Sequence, residues 1–187
     1  MDRTSIAYVG FVAAALLLAG GERLLARRNE SRLLREGAQE IAPGVFRLMA
    51  PVYALAFPAA VAEHLLAGRR PAAWFAVSMA VLFLAAKALK LWAVRHLGDQ
   101  WTMRVIVPRA VRVATGGPYR LMRHPNYLAV IGEGLAMPLA GGAWITAIAF
   151  GVLFGAILWM RIVTEEAALL ARPEYAAAMA GRRRFLP

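Results

Sequence analysis

Gly116-Gly117-Pro118-Tyr119-Arg120-Leu121-Met122-Arg123-His124-Pro125-Asn126-Tyr127 is a polar, turn-rich passage set between strongly apolar runs. It holds two of the ten prolines and one of the three histidines, with two tyrosines and two arginines. Gly116-Gly117-Pro118 reads as a sharp turn that lets the backbone approach a ligand closely. Pro125 suits the first position of a helix, because its ring is preorganised for the turn and the N–H it lacks would be orphaned there. Such a start predicts N–H groups of Asn126, Tyr127 and Leu128 directed out of the helix end, where a carboxylate or another anion is favoured. Tyr119 and Tyr127 add apolar walls with a polar handle.

The surroundings of this passage are those of a membrane protein. Of 187 residues, 60% are apolar and 18% charged, and the mean hydropathy is +0.55. A soluble domain of this length carries a larger charged fraction, and long apolar runs point to membrane spans. The net charge of +11 belongs to loops, since no basic face is interleaved with base-stacking aromatics; nucleic acid is not an expected partner. The absence of cysteine excludes disulfides, thiolate zinc sites, cysteine nucleophiles and lipid attachment through cysteine. No histidine pair has metal-ligand spacing, so no metal is expected. A phosphate-cradling glycine loop and a nucleophile elbow are both lacking.

The predicted fold class is all-α: a polytopic membrane helix bundle with about five transmembrane helices. Spans are expected over residues 5–25, 45–66, 72–95, 125–139 and 143–171, with a short amphipathic piece over 174–181. The first is read as a retained span, not a cleaved signal. After it, a short surface helix is expected, carrying i,i+4 pairs such as Arg32 with Glu36 and broken by Gly37 and the Pro43-Gly44 pair. Pro51 and Pro58 fall inside span two, which bilayers tolerate. Residues 1–187 read as one domain, with three spans in 1–95 and a cofactor-binding and catalytic half in 96–187. Arginines concentrate on one side: Arg23, Arg27, Arg28, Arg32, Arg35 and Arg47, then six from Arg95 to Arg123, then Arg161, Arg172 and Arg182 to Arg184. The opposite side holds Arg3, Arg69 and Arg70. This asymmetry places the N-terminus outside and the 116–127 passage, the pocket and the C-terminus in the cytoplasm, as for a bacterial inner-membrane protein.

Ionisable residues inside spans are the remaining candidates. Arg161 and Glu165 are four apart and share a helix face; charges at that depth are expected to be functional or paired. Glu133 must find a partner or stay protonated. Lys87 and Lys90 are expected to extend toward the interface, and His64 and His96 to lie at interfaces.

At these residues the chain resembles the isoprenylcysteine carboxyl methyltransferase family of integral membrane enzymes. The matching elements are Val113-Ala114-Thr115-Gly116-Gly117-Pro118-Tyr119, Arg123-His124-Pro125-Asn126-Tyr127, Arg161 with Glu165-Glu166, Tyr175, and the terminal Arg184-Phe185-Leu186-Pro187. The resemblance implies S-adenosylmethionine as methyl donor, with S-adenosylhomocysteine as product. It implies cofactor binding by Val113, Ala114, Tyr119, His124, Pro125, Asn126, Tyr127 and Glu165, and catalytic roles for Arg161 and Glu165. Its implied partner is a lipophilic acceptor arriving from the bilayer: a prenylcysteine-type carboxylate, or the hydroxyl of a lipid-like polyketide or phenol. A hydroxyl acceptor would require a base, for which His124 or Glu166 is the expectation. A second reading is a membrane NADPH-dependent reductase of the sterol-reductase type, whose members also read His-Pro-Asn-Tyr. They carry a glutamate three residues after the tyrosine, where this chain has Val130.

Overall fold

The computed structural model describes residues 1–109 and 112–185; Leu186 and Pro187 of the terminal motif lie outside them. The first helix, α1, runs Arg3–Arg35 without interruption. The expected span over residues 5–25 does not end in a break. Instead the span and the surface helix are one rod, and its polar half is held by Arg23–Glu30 at 3.1 Å and Arg32–Glu36 at 3.9 Å. Asp2 caps its start, with Oδ1 accepting from the Ser5 N–H at 2.8 Å. Its end comes where Gly37 adopts φ +82, a conformation that costs glycine little.

Helix α2 (Pro43–Ala67) returns through Pro51 and Pro58. It is followed by α3 (Ala73–Leu97), α4 (Pro125–Ala140), α5 (Trp144–Leu170) and the short α6 (Pro173–Ala178). Among the described residues, α1, α2, α3 and α5 are long and apolar enough to cross a membrane. The fourth expected span, α4, has 16 residues and so rises only about 24 Å at ~1.5 Å per residue. It can be short because it is central: it packs on α3 and α5, and even its polar Glu133 is 2% exposed. Lipid-facing side chains lie instead on the outer helices, as with Leu17, Leu66, Trp74 and Ile148.

The core joins Tyr8 and Val12 of α1, Met49 and Phe57 of α2, Phe83 of α3, Tyr127 and Met137 of α4, and Phe150, Phe154 and Leu158 of α5. Close approach of α4 to α5 needs Gly134, where a Cβ would stand 2.1 Å from the Phe150 ring. At the end bearing the N-terminus, His64 is 1% exposed and lies buried between helix ends. Its Nδ1 lies 2.7 Å from the Gly141 carbonyl and its Nε2 3.2 Å from Ser5 Oγ. Neighbouring Glu63 caps α5, accepting from the N–H groups of Ile145 and Thr146 at 3.0 and 2.7 Å.

Lys87 and Lys90 also depart from expectation. They are buried, and do not reach for the interface. Lys87 Nζ donates to Glu22 at 2.7 Å and to Glu133 at 2.9 Å; Lys90 Nζ donates to the same pair at 2.5 and 3.2 Å. Two cations and two carboxylates from α1, α3 and α4 thus compensate one another, which is how ionised groups persist away from water.

At the other end, β1 (Gln39–Glu40) pairs antiparallel with β2 (Ile106–Val107). This small ribbon ties the α1–α2 link to the α3–α4 connection and sets a wall over the ends of α4 and α5.

Candidate functional site

The polar passage folds as its composition suggests, but its helix start is not an open anion site. A short 3-10 turn over Gly117–Arg120 begins at Gly117, whose φ is +55. A Cβ there would meet the His96 ring at 2.4 Å, so both the turn and the packing call for glycine. Pro125 is the first residue of α4 and is fully buried. The N–H groups of Tyr127 and Leu128 both reach the His124 carbonyl at 3.2 Å, so they are not free for a ligand as expected.

What closes the passage is the C-terminal tail. The N–H groups of Arg123 and His124 donate to the carbonyls of Arg183 and Arg184, each at 2.9 Å. Behind them Glu166, 4% exposed, gathers three cationic or polar partners: Arg123 at 3.2 Å, His124 Nε2 at 3.0 Å and Arg184 at 2.7 Å. The Arg184 guanidinium also covers the Trp159 ring at 4.8 Å. With all these partners Glu166 serves as a clamp, and the expectation that it acts as a free base is not supported by its surroundings.

Glu165 faces elsewhere, because successive helical residues are turned by about 100°. The Tyr127 hydroxyl donates to its Oε2, and Arg161 Nε donates to the same Tyr127 oxygen at 2.7 Å. Arg161 Nε is 3.9 Å from Glu165. Its Nη1 donates to the Met103 carbonyl, and the guanidinium lies 5.3 Å from the Tyr127 ring centroid. The predicted Arg161/Glu165 pair is therefore a triad with Tyr127 between its members. Stacking of His124 on Tyr127, at 5.1 Å and 15°, connects it to the clamp.

This triad faces a cleft of mixed polar and apolar lining. Val113, Ala114, Tyr119, His124, Asn126, Tyr127, Arg161 and Glu165 all line it. Of the predicted cofactor-binding residues, Pro125 alone stands behind the wall, where it fixes the turn. Tyr119 and Tyr175 complete one side; burial raises both phenols, Tyr175 to about 12, so both stay protonated hydrogen-bond donors at neutral pH. Sequence reasoning missed Trp101, Thr102 and Arg104. They sit in an irregular loop with no periodicity to mark them, held by Glu30, which accepts from the Met103 and Arg104 N–H groups at 3.1 and 3.2 Å.

Beside the cleft lies a second, apolar chamber of about 310 Å³. Leu16, Phe46, Met49, Phe57, Val130 and Phe154 supply most of its hydrocarbon surface. The two cavities share Trp101, Thr102, Asn126, Tyr127 and Arg161. Tyr127 and Arg161 thus stand between a cleft of mixed lining, which Glu165 also faces, and an apolar chamber. Among the described residues, no cluster of three metal-ligating side chains occurs.

A sequence model of the isoprenylcysteine carboxyl methyltransferase (ICMT) family matches residues 77–171. The chain is also similar to the uncharacterized protein YpbQ of Bacillus subtilis (strain 168), with 31% identity over 158 residues, covering 84% of this chain and 94% of that protein.

Proposed function

The chain belongs to the isoprenylcysteine carboxyl methyltransferase family of membrane methyltransferases, and from that premise we propose that it methylates an oxygen of a lipophilic acceptor with S-adenosylmethionine as donor. The observation that carries this reading is the pair of cavities meeting at Tyr127 and Arg161. A hydrophilic donor and an acyl-chain acceptor need opposite solvents, and one shared wall brings both to the same atoms.

The residues of the cleft fit the donor. S-Adenosylmethionine, when bound, supplies an electrophilic methyl group on a cationic sulfonium. Glu165, half-buried at the cleft wall, is the carboxylate that would face its cationic groups. Tyr119, His124, Asn126 and Tyr127 add aromatic and hydrogen-bonding surface, and Val113 and Ala114 an apolar edge. The cleft's volume is about 130 Å³, against ~300–1,000 Å³ for typical ligand pockets. A nucleoside-sized donor would therefore require the wall of Val105, Ile106, Val107 and Pro108 to stand further out.

Arg161 orients the acceptor oxygen. Its guanidinium is already fixed by Tyr127 and the Met103 carbonyl, so little further ordering is needed at the reacting end. A carboxylate acceptor requires no base, only in-line placement in a site with little water. For a hydroxyl acceptor, the Tyr127–Glu165 hydrogen bond offers a path by which the Tyr127 oxygen takes the proton and Glu165 receives the phenolic one. The arginine-rich end that contains the cleft is assigned to the cytoplasm by the positive-inside rule, with the N-terminus outside, in a bacterial inner membrane.

The test is ligand-induced stabilisation of the purified protein in detergent. S-Adenosylhomocysteine is expected to raise the unfolding temperature and NADPH to leave it unchanged. Stabilisation by NADPH without stabilisation by S-adenosylhomocysteine would overturn the methyl-donor reading.

A further inference from the structure

Lys90 belongs to two places at once. As a member of the ionic quartet its Nζ donates to Glu22 at 2.5 Å and to Glu133 at 3.2 Å. It also lines the apolar chamber, although it is only 3% exposed. Lys87 is the internal comparison. It donates to the same two carboxylates at 2.7 and 2.9 Å, yet the chamber's lining includes Lys90 and not Lys87. An ammonium carries three N–H groups, and Lys90 has given two of them to carboxylates. Its remaining contact is with the Tyr53 ring, whose centroid lies 5.9 Å from Nζ, and Tyr53 lines the chamber as well. Among the described residues the third N–H has no hydrogen-bond acceptor. A buried cation thus keeps one uncommitted donor at the wall of a hydrocarbon-lined space, where an unpaired N–H is costly.

The chemistry of a completing group follows from the quartet. Its two cations and two carboxylates already balance. An ionised group would leave a net charge away from water, whereas a neutral oxygen adds none. A carbonyl is the oxygen that fits, because it accepts a hydrogen bond and brings no donor. A hydroxyl would carry an O–H into surroundings made by Leu16, Ala54, Phe57, Val130 and Phe154. The depth is also set. Glu133, which Lys90 contacts, follows Tyr127 on α4 and lies about 9 Å further along the axis at ~1.5 Å per residue. Val130, between them in the chain, lines the chamber.

We propose that Lys90 is a specificity-determining residue, donating a hydrogen bond to a neutral carbonyl within the chain of the acceptor, about 9 Å from the oxygen held at Arg161. This rests on the reading that the chamber takes a lipophilic acceptor. It deepens that reading by making the acceptor a chain-oxidised lipophile, with one oxygen at the reacting end and a second partway down the tail. A plain methylene at that depth would seal the Lys90 N–H away from any acceptor, and a site built to hydrogen-bond an oxygen discriminates against the analogue that lacks it.

The test uses the full-length protein in phosphatidylcholine nanodiscs. The probes are hexadecanol and three hexadecanols bearing a single ketone at the fourth, eighth or twelfth carbon, each competed against radiolabelled hexadecanol. Wild type is expected to bind the eighth-carbon ketone roughly tenfold more tightly than hexadecanol, the scale of one hydrogen bond to a charged group, with smaller gains for the other two. Two double variants then separate recognition from structure. Lys90→Met/Glu133→Leu and Lys87→Met/Glu133→Leu each remove one charge of either sign, and only the first removes the chamber's ammonium. The ketone preference is expected to vanish in the first and to persist in the second; because bilayer partitioning of each probe is the same for both, it cancels in the comparison. Equal binding of all four probes by wild type, a preference that peaks at the fourth or twelfth carbon, or a preference that both double variants keep or both lose overturns the inference. Failure of hexadecanol to bind wild type at all would defeat the lipophilic-acceptor reading and the inference with it. S-Adenosylhomocysteine binding is measured on the same samples. Its absence in wild type with the ketone preference intact counts against the methyl-donor reading alone.

Discussion

Two buried ionic clusters lie in α4 and its neighbours, and they are built on different rules. The first is Glu22, Lys87, Lys90 and Glu133. It is closed in charge: two cations and two carboxylates form four ion pairs, all between members, while Lys90 also lines the apolar chamber. The second is Tyr127, Arg161 and Glu165, backed by the Glu166 clamp. Here the charges are held from behind by a backbone carbonyl, a phenol and a tail, and their remaining capacity faces a cavity. A closed cluster serves to orient helices in the bilayer; an open one has ordered its groups for something else to complete. The same residue types in one bundle thus divide between structure and chemistry according to whether their last hydrogen-bonding position points inward or into a space.

The largest expected effect comes from opening the closed cluster. Glu133→Leu leaves two buried ammonium groups with one carboxylate between them, a loss of about 3–5 kcal/mol in stability. It should appear as a lowered unfolding temperature in detergent, with the fold of surviving molecules still binding S-adenosylhomocysteine. If stability is unchanged, the quartet is not a compensated ionic unit. The double variant Lys90→Met with Glu133→Leu, which removes one charge of each sign, should recover much of the loss.

Next in size are variants of the open cluster, read as chemistry and not as stability. Glu165→Ala should abolish S-adenosylhomocysteine binding. Arg161→Ala should spare that binding but lower turnover by about a hundredfold or more, the scale for losing a group that positions the reacting atoms. Unfolding temperatures should move less than for Glu133→Leu. Normal binding and turnover in both variants would show the triad to be a second structural cluster.

How much of this was legible in the sequence follows from the range of each interaction. The 116–127 passage and the Arg161/Glu165 pair are local patterns, and the fold brings them together, with all but Pro125 of the predicted cofactor-binding residues on the cleft wall. The partners of Lys87 and Lys90 are 43 to 68 residues away. They depend on how α1, α3 and α4 are rotated about their axes, which a hydropathy pattern fixes only loosely. The same reason hid His64, whose partners are Ser5 and Gly141. The i,i+4 spacing from Arg161 singles out Glu165 and leaves Glu166 without a visible partner; one helical step sends the first to the cleft and the second to the tail. The polar half of α1 reads as a surface segment, and its ion pairs let the helix leave the bilayer without breaking.

The smallest of these effects should come from the clamp, and it sharpens the comparison because the clamp belongs to neither type. Glu166 closes on its partners as Glu133 does, yet it holds up the open cluster through His124. Glu166→Gln keeps the shape, removes the charge and weakens three charge-assisted contacts. The expected cost is about 1–2 kcal/mol, since part of the hydrogen bonding survives in the amide. A purely structural role would lower stability and leave the affinity for donor unchanged. A positioning role predicts more. The amides of Arg123 and His124, which donate to the tail carbonyls, should exchange with deuterium faster, and S-adenosylhomocysteine should bind several-fold more weakly in molecules that remain folded. Faster exchange with unaltered affinity would place the boundary between structure and chemistry at the Tyr127 ring, and a loss of both would place it at Glu166.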